Sequence, residues 1–310
     1  MIITLTLNPA VDQTIFVDHL EVGQVNRFNE SQLDPAGKGI NVSRVAHRLG
    51  WPTIAFGFLA GEIGAIARKA LDDEAVQHHF VPVPGQTRIN VTVVDEQNRV
   101  STSFYGQGPA VDRDHLSRLD ELLRFWLESG RVLVLAGSMP PGVSEDAYAS
   151  YIRLAGSHGI KTILDADGEP FRLGVAAKPY LIKPNVAEAE RLLGRSLPNT
   201  LAVVNGAREL ASQGITVVVV SMGGEGAICV EGNKVWRALP PEVERRSTVG
   251  SGDSLVAGLA VALARGNDIV EGLRLGTAAG AATAMTQGTA LGTSQEITSL
   301  LPQVRIEEIT

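Results

Sequence analysis

Cysteine is nearly absent from this 310-residue chain, and the one cysteine, Cys229, lies in the strand-like run Gly226–Val230. A single cysteine cannot form an internal disulfide, and a thiol in an apolar run is typical of an inert core residue. Long apolar runs are also lacking, since none reaches the ~20 residues that a membrane-spanning helix needs. Residues 1–8 have neither a basic n-region nor a small-residue cleavage site. We therefore expect a protein of the reducing cytoplasm, with no membrane partner.

A surplus of positive charge is lacking as well. Lys and Arg number 27 against 34 Asp and Glu, which gives a formal net charge of −7 and a pI near 5.4. Binding to nucleic acid irrespective of sequence needs a basic surface, so we expect no nucleic-acid partner. An anionic small molecule stays compatible with this charge, because a few local cations suffice to bind it.

Three common signatures of enzyme sites are missing too. The chain has no Gly-x-Ser-x-Gly turn, so serine hydrolysis has no support, and its six histidines show no metal-ligand spacing. After the first predicted strand comes Asn8-Pro9-Ala10 rather than the Gly-x-Gly-x-x-Gly turn of a nicotinamide oxidoreductase. A dehydrogenase on a doubly wound sheet is therefore disfavoured.

What the chain does contain is an alternation of short β-rich runs with helical patterns, which predicts an α/β fold with a mostly parallel central sheet. Several runs are almost wholly apolar, as expected for strands buried on both faces. The predicted central strands are Ile2–Leu7, Thr53–Phe58, Val132–Leu135, Thr162–Leu164, Tyr180–Ile182 and Thr216–Val220. The predicted helices are Ile40–Leu49, Asp112–Glu128, Glu145–Ser157, Ala187–Leu193, Ala202–Ser212, Ser254–Ala264 and Ile269–Met285.

Two stretches, Asp12–Leu33 and Arg88–Tyr105, break this rhythm because polar and apolar residues alternate along them. The turn at Asp95–Asn98 predicts that the second stretch folds back as a hairpin. Half-exposed strands do not belong in a buried central sheet, so we expect a small β-sheet lid inserted in a single domain of residues 1–310. The apolar outer face of the lid needs cover, and we expect a homodimer formed through it.

The segment Ser247–Ser254 reads Ser-Thr-Val-Gly-Ser-Gly-Asp-Ser and precedes an apolar helix pattern. Gly250, Ser251 and Gly252 can expose consecutive backbone N–H groups toward one point, and Asp253 sits at a helix N-terminus, which attracts anions. A carboxylate beside an anion hole suits phosphoryl transfer, which needs charge stabilisation and a positioned base. An ordinary strand-to-helix turn capped by Asp253 explains the segment equally well.

A second glycine-rich segment surrounds Lys38, which stands between Gly37 and Gly39. The ammonium group of Lys38 and exposed backbone amides converge there. Asn41 lies one turn into the next helix, on the side that faces the same point. The segment is not a Walker A loop, because Gly39 rather than Ser or Thr follows the lysine. Taken alone, a glycine turn with a solvated lysine is the simpler interpretation.

A third segment, Lys183–Glu188, follows a predicted strand at the edge where open α/β sheets bind ligands. The oxygens of Asn185 and Glu188 can orient Mg²⁺ directly or through water, since this ion keeps much of its hydration. The same two residues can instead cap the following helix.

A fourth segment, Ser221–Gly226, has glycines that permit close backbone approach to a nucleotide, although a hairpin turn has the same composition. It fails as a dinucleotide fingerprint because strands follow it rather than a helix. Asp12 and Ser138 complete the candidates, each just past the end of a predicted strand, and each also fits an ordinary turn.

Together these segments resemble the PfkB carbohydrate kinases, which have the ribokinase-like three-layer α/β/α fold. The matching segments, in the order of that family, are Ala36–Ser43, Lys183–Glu188, Ser221–Gly226 and Ser247–Ser254, and the resemblance runs from Leu5 to about Gly288. Within the family, four segments are most similar to the branch that phosphorylates D-fructose 1-phosphate: Thr6–Ala10 with Asp12, Gly23–Asn26, Ala36–Val42 and Thr87–Val91. Minor 6-phosphofructokinases have a glycine in place of Lys38, whereas tagatose-6-phosphate kinases are close and stay an alternative.

The resemblance implies an ATP-dependent kinase of a ketohexose phosphate, with Mg²⁺, and it implies a role for each candidate residue. The catalytic set consists of a base and an anion hole: Asp253 with Gly250, Ser251 and Gly252. The nucleotide and metal set consists of Lys183, Ser221, Gly223, Gly224 and Gly226, with Asn185 and Glu188 organising magnesium. The set that holds the sugar phosphate consists of Asp12, Gly37, Lys38, Asn41, Arg88 and Ser138.

The chain departs from the family pattern at four places. Ala60 stands where glycine is usual, Ser251 where alanine is usual, and Ala187 where a polar residue is usual. The sequence Asp-Ala-Asp-Gly at 165–168 replaces the more usual Asp-Ser-Ser. None of these changes removes a charge or donor that the chemistry needs. An inactive sugar-phosphate-binding protein is the alternative of another class, and the intact Asp253 speaks against it.

Overall fold

The computed structural model describes residues 1–98 and 100–309, so Arg99 of the predicted lid and Thr310 of the predicted domain lie outside the described residues. The strands are β1 (Ile2–Thr6), β2 (Ala10–Val17), β3 (Glu30–Ala36), β4 (Thr53–Leu59), β5 (Gln77–Pro82), β6 (Arg88–Asp95), β7 (Val100–Phe104), β8 (Val132–Ala136), β9 (Lys161–Asp165), β10 (Leu181–Ile182), β11 (Val217–Ser221), β12 (Ala227–Glu231), β13 (Lys234–Leu239) and β14 (Arg305–Ile309). The helices are α1 (Lys38–Arg48), α2 (Gly61–Asp73), α3 (Arg113–Leu127), α4 (Ala147–Ser157), α5 (Gly168–Ala176), α6 (Val186–Leu193), α7 (Thr200–Ser212), α8 (Ser251–Arg265), α9 (Ile269–Ala284) and α10 (Ser294–Leu300).

The larger sheet has the strand order β14-β13-β12-β11-β10-β9-β8-β1-β4-β5. The seven strands β11, β10, β9, β8, β1, β4 and β5 run parallel to one another. Strands β12, β13 and β14 extend this sheet at the β11 edge, each antiparallel to the strand before it. Side chains of α3 to α7 pack on one face of this sheet, and those of α1, α8, α9 and α10 pack on the other. The predicted three-layer α/β/α architecture is therefore confirmed. Among the residues that the structure describes, no helix is long and apolar enough to cross a bilayer.

Helix α8 is the most deeply buried helix, with every residue from Asp253 to Ala264 buried. Its contact with α9 is very close, because a side chain added at Gly258 would run into the backbone of Gly276. Gly272, Gly276 and Gly280 recur at helical spacing along α9, and their lack of side chains admits the neighbouring helix. This packing fixes the N-terminus of α8, which carries the glycine-rich loop.

The smaller sheet, in the order β3-β2-β6-β7, forms the predicted lid, and β6 and β7 pair antiparallel as the predicted hairpin. Register places Asp12 of β2 beside Asn90 of β6 on the face toward the larger sheet. The opposite face exposes apolar side chains, namely Leu33, Ile89, Val100 and Phe104. The lid therefore turns its polar side inward, which is the reverse of an ordinary two-layer packing.

One local expectation was wrong. Helix α8 begins at Ser251 instead of Ser254, because Gly250 takes a φ of 77° and serves as the N-cap. Asp253 therefore lies in the first helical turn and is not the cap. Asp12 lies in lid strand β2, in agreement with the predicted lid stretch, so the alternative of an ordinary turn does not apply to it.

Candidate active site

One cavity of about 1080 Å³ lies between the carboxyl ends of the parallel strands and the inner face of the lid. Its volume is at the upper end of the range for ligand pockets, about 300–1,000 Å³, so it has room for a large ligand or for two smaller ones. All of the predicted site residues line it: Asp12, Gly37, Lys38, Asn41, Arg88, Ser138, Lys183, Asn185, Glu188, Ser221, Gly223, Gly224, Gly226, Gly250, Ser251, Gly252 and Asp253. The structure thus brings together residues that are up to 241 positions apart in the chain.

The first turn of α8 lies at the centre of this cavity. Gly250 and Gly252 leave the N-terminal backbone uncovered, and unpaired N–H groups at a helix start attract anions. Asp253 is 8% exposed, and its Oδ2 accepts a hydrogen bond of 2.8 Å from the Nδ2 of Asn41 in α1. The Ser251 hydroxyl is buried and has no hydrogen-bond partner among the described residues, so it adds a free donor to this turn.

The carboxylate of Asp253 is a stronger base than an ordinary aspartate. Burial raises its pKa and the nearby Asp165 carboxylate raises it further, to about 6, although Lys38, Asn41 and Lys183 act in the opposite direction. At neutral pH the group is therefore ionised, while its pKa lies close to the working pH. That combination is the optimum for a general base.

Lys38 and Lys183 lie near Asp253, and they share the carboxylate of Asp165. Lys38 Nζ donates to Asp165 Oδ1 over 2.9 Å, and Lys183 Nζ lies 3.4 Å from Asp165 Oδ2. Although burial favours the neutral amine, the carboxylates of Asp165, Asp253 and Glu188 raise the pKa of Lys38 above its ordinary value. Lys183 lies next to the predicted anion hole, because a Cβ built on Gly252 would be 3.4 Å from its Nζ.

Asp165 itself was missed by the sequence reasoning. It is the last residue of β9, so the strand-end position that singled out Lys183 and Ser138 applies to it equally. Burial alone would raise the pKa of this carboxyl, yet Lys183 and Lys38 hold it below its usual value, so the group is ionised.

The lid supplies a second group of polar side chains. Asn90 Nδ2 donates to Asp12 Oδ1 over 2.8 Å, which orients this carboxylate toward the cavity. Arg88 donates to the carbonyl oxygens of Asn8 at 2.9 Å and Gly106 at 3.2 Å. Burial lowers the pKa of Arg88 and Asp12 opposes this shift, but a guanidinium stays charged and has more N–H donors than these two bonds use.

The loop after β8 is held by two residues that the sequence did not single out. Asn8 Nδ2 donates to Ser138 Oγ over 3.2 Å. The hydroxyl of the buried Tyr148 donates to the Ala136 carbonyl over 2.8 Å. These bonds fix the position of Ser138 beside the lid.

The opposite end of the cavity has a glycine-rich wall. Ser221 ends β11, a 3-10 turn spans Gly223–Glu225, and β12 follows, as the absence of a helix pattern predicts. A side chain at Gly224 would run into the guanidinium of Arg245, a cavity residue that the sequence did not point to. At Gly223, by contrast, nothing lies within 4 Å of the position that a Cβ would take, so the backbone is open to a ligand there.

Asn185 and Glu188 form a capping box at the start of α6. Asn185 Oδ1 accepts from the Glu188 backbone N–H at 2.9 Å, and Glu188 Oε2 accepts from the Asn185 backbone N–H at 2.8 Å. The capping alternative is therefore realised, and both side chains also line the cavity. An isolated bridge between Asn185 and Ser221 joins them to the glycine-rich wall. One carboxylate with one amide oxygen fits Mg²⁺, which keeps several waters and binds substrate phosphates.

Comparison with known proteins identifies the family of this fold and site. Residues 5–296 match the model of the pfkB family carbohydrate kinases. The 1-phosphofructokinase of Borreliella burgdorferi is 34% identical over 310 residues, covering 100% of this chain and 99% of that protein. The 1-phosphofructokinase of Rhodobacter capsulatus is 39% identical over 282 residues, covering 89% and 88%. The crystal structure of Phosphofructokinase-2 from Escherichia coli with substrates and products has a TM-score of 0.92 at 32% identity, covering 97% of this chain and 98% of that chain.

The chain belongs to the pfkB family of carbohydrate kinases. It is a phosphotransferase that uses ATP as the phosphoryl donor together with Mg²⁺. The predicted family, fold, enzyme class and cofactors are confirmed, whereas the roles of individual residues stay predictions.

Proposed function

We propose that this kinase transfers the γ-phosphoryl group of ATP to D-fructose 1-phosphate, which yields fructose 1,6-bisphosphate and ADP. The observation that carries the proposal is the position of Asp253, between a sugar side with Lys38 and Arg88 and a glycine-rich nucleotide side. The two cations on the sugar side match a substrate that already bears a phosphate. Relatives named 1-phosphofructokinase that align with the whole chain support the choice of sugar.

In this mechanism Asp253 accepts the proton of the sugar hydroxyl while the hydroxyl oxygen bonds to the γ-phosphorus. The bond between that phosphorus and the β–γ bridging oxygen breaks, and ADP leaves. The N–H groups around Gly250, Ser251 and Gly252 stabilise the charge on the moving phosphoryl oxygens. Asn185 and Glu188 would hold Mg²⁺ through water, and the ion would supply positive charge that neutralises the nucleotide phosphates.

Asp12 and Ser138 are proposed to hold sugar hydroxyls, and Gly37 and Asn41 complete that side of the site. Lys183 is proposed to pair with nucleotide phosphates, against the wall formed by Ser221, Gly223, Gly224 and Gly226. Closure of the lid excludes water, which would otherwise accept the phosphoryl group. We place this reaction in the cytoplasm, because ATP and phosphorylated sugars are charged metabolites that membranes retain.

A second candidate substrate is a 6-phosphorylated ketohexose, either fructose 6-phosphate or tagatose 6-phosphate. The observation that favours it is structural, since the crystal structure of Phosphofructokinase-2 from Escherichia coli in complex with fructose-6-phosphate has a TM-score of 0.90 to this chain. Lys38 argues against a minor 6-phosphofructokinase, because those enzymes have glycine at the corresponding position.

An ADP-release assay over four acceptors tests the proposal: fructose 1-phosphate, fructose 6-phosphate, tagatose 6-phosphate and free fructose. We expect kcat/KM for fructose 1-phosphate to exceed the others by about 10- to 100-fold, because a phosphate at the other end of the sugar, or none, loses its charge-assisted hydrogen bonds with Lys38 and Arg88. Preference for a 6-phosphate would move the assignment to the second candidate. Sugar-phosphate binding by calorimetry without any ADP release would identify an inactive binding protein.

We also propose that residues 1–310 act as a single domain, and that two copies associate through the lid. Leu33, Ile89 and Phe104 share the outer face of the lid by register, and Phe104 is 60% exposed. A contiguous apolar face of this kind marks an interaction surface. An oligomeric relative supports the choice of partner, since the inhibited form of Phosphofructokinase-2 from Escherichia coli is described as tetrameric.

Sedimentation at micromolar concentration should therefore give about twice the chain mass of 32.8 kDa. Phe104→Glu should give monomers, because a carboxylate in an apolar interface is left unpaired. Phe125→Glu is the matched control, since Phe125 is 68% exposed on α3 in the main domain and should leave the dimer intact. A monomeric wild-type protein, or a dimeric Phe104→Glu variant, would contradict the proposal.

A further inference from the structure

Asp165 is the most enclosed charged side chain that lines the cavity, with 1% of its surface exposed. Its two carboxylate oxygens face two lysines from different elements, Lys38 at the start of α1 and Lys183 after β10. A buried carboxylate is stable only when it is paired, and here both partners are cations. The three charges form one cluster at the floor of the active site, in which Asp165 and Lys183 are buried and Lys38 is partly exposed.

The two lysines of this cluster face opposite halves of the cavity. Lys38 follows Gly37 below the lid, where the sugar phosphate is proposed to bind, and Lys183 lies beside Gly252 of the anion hole. A lysine side chain has a flexible stem and many rotamers, so it needs a fixed anion to hold its ammonium group in one place. Asp165 is such an anion for both, because it ends a central strand of the rigid sheet.

We propose that Asp165 is a positioning residue for the phosphoryl transfer, which holds Lys38 and Lys183 on either side of the transfer point so that the two substrates meet at Asp253. The inference rests on the proposed kinase function and adds to it a residue that contacts neither the reacting hydroxyl nor the base. The cluster links the sugar half of the site to the nucleotide half through one carboxylate.

The same cluster sets the environment of Asp253. The groups that face Asp253 are Lys38 and Asn41 from α1, Asp165 from β9 and Lys183 from the end of β10. Burial raises the pKa of Asp253 most, the charge of Asp165 raises it next, and the lysines lower it. Removal of the Asp165 charge therefore lowers the pKa of Asp253. The pKa of Asp253 therefore reports the charge of Asp165, whereas the KM values for the two substrates report the positions of the two lysines.

Two substitutions separate the charge of Asp165 from its position. Asp165→Asn keeps the size of the side chain and removes its charge, which lowers the pKa of Asp253. The acidic limb of the pH profile, the range in which kcat/KM falls as Asp253 is protonated, should therefore move to lower pH. KM should rise about tenfold for both substrates, as when a group that orients a functional side chain is lost. Asp165→Glu keeps the charge but moves it by about one carbon–carbon bond, ~1.5 Å. Its acidic limb should stay at the wild-type pH, while kcat/KM falls by about 10- to 100-fold.

Asp167→Asn serves as the control, because the Asp167 carboxylate lies two residues further on and is 62% exposed. It should leave both the limb and the KM values at wild-type levels. Thermal melting shows whether each variant folds, and calorimetric titration with ADP gives a readout independent of turnover, in which Asp165→Asn should bind about tenfold more weakly.

A folded Asp165→Asn variant with the wild-type limb, or with unchanged KM for either substrate, overturns the inference. If that variant does not fold, Asp165→Glu decides, and wild-type kcat/KM in it would overturn the inference equally. Failure of the proposed function looks different, since the wild-type protein would then release no ADP with any acceptor. If the wild-type protein turns over normally and the acidic limb of Asp165→Asn does not move, the positioning role is refuted while the proposed function stands.

Discussion

Replacement of Asp253 by Asn should lower kcat by about 10²- to 10⁴-fold, the range that general-base help contributes. The substitution keeps the shape of the side chain and the contact with Asn41. It removes the group that we propose as the acceptor of the sugar-hydroxyl proton. Because this role concerns the reacting hydroxyl, KM for ATP should change little. Steady-state kinetics with each substrate varied in turn, at saturation of the other, measures both quantities.

The matched control is again Asp167→Asn, a carboxylate at the rim of the same cavity. Asp167 caps α5, and asparagine caps a helix about as well as aspartate does, so the fold should be unaffected. We expect its kcat to stay near that of the wild type. A near-wild-type kcat in Asp253→Asn would remove this residue from the mechanism.

The pH dependence of the wild-type enzyme follows from the same residue. The pKa of Asp253 is raised to about 6, and the base is active only when ionised. On this basis kcat/KM should be level above that pH and should fall by about tenfold per pH unit below it. An ordinary aspartate would show the same fall near pH 4.

The sequence predicts the architecture well where a strong local pattern exists. The buried strands are apolar runs, and the lid strands alternate, so both sheets follow from periodicity. The start of α8 was placed three residues late, since a helix pattern in apolar residues does not reveal the small residues that open it. Only the positive φ at Gly250 shows that the first turn consists of Ser251, Gly252 and Asp253.

The gathering of the site residues also follows from the sequence, because the carboxyl ends of parallel strands meet at one edge of the sheet. What the sequence does not contain is the pairing between side chains. Asp165 and Lys38 are 127 residues apart, and no local pattern relates them. Asn185 and Glu188 show the opposite difficulty, because one spacing serves both a capping box and a magnesium site.

Replacement of Lys183 by Met should lower kcat by about 10²- to 10³-fold, comparable with the loss of one donor from an anion hole. Lys183 is 4% exposed and lies beside Gly252, so its charge acts in a site from which water is largely excluded. Methionine fills a similar volume without charge, and the effect is therefore electrostatic. Lys69→Met is the control, because Lys69 is 75% exposed on α2 and pairs with Asp73 away from the cavity.

The acidic limb of the kcat/KM profile gives this prediction a sign that distinguishes it from general damage to the site. Lys183 lowers the pKa of Asp253, so its loss should move the limb to higher pH, whereas loss of the Asp165 charge moves it to lower pH. Two neighbouring substitutions in one buried cluster should thus shift the same limb in opposite directions. A general fold defect would not shift the acidic limbs of the two variants in opposite directions. Equal shifts in Lys183→Met and Asp165→Asn would show that the cluster does not act on Asp253.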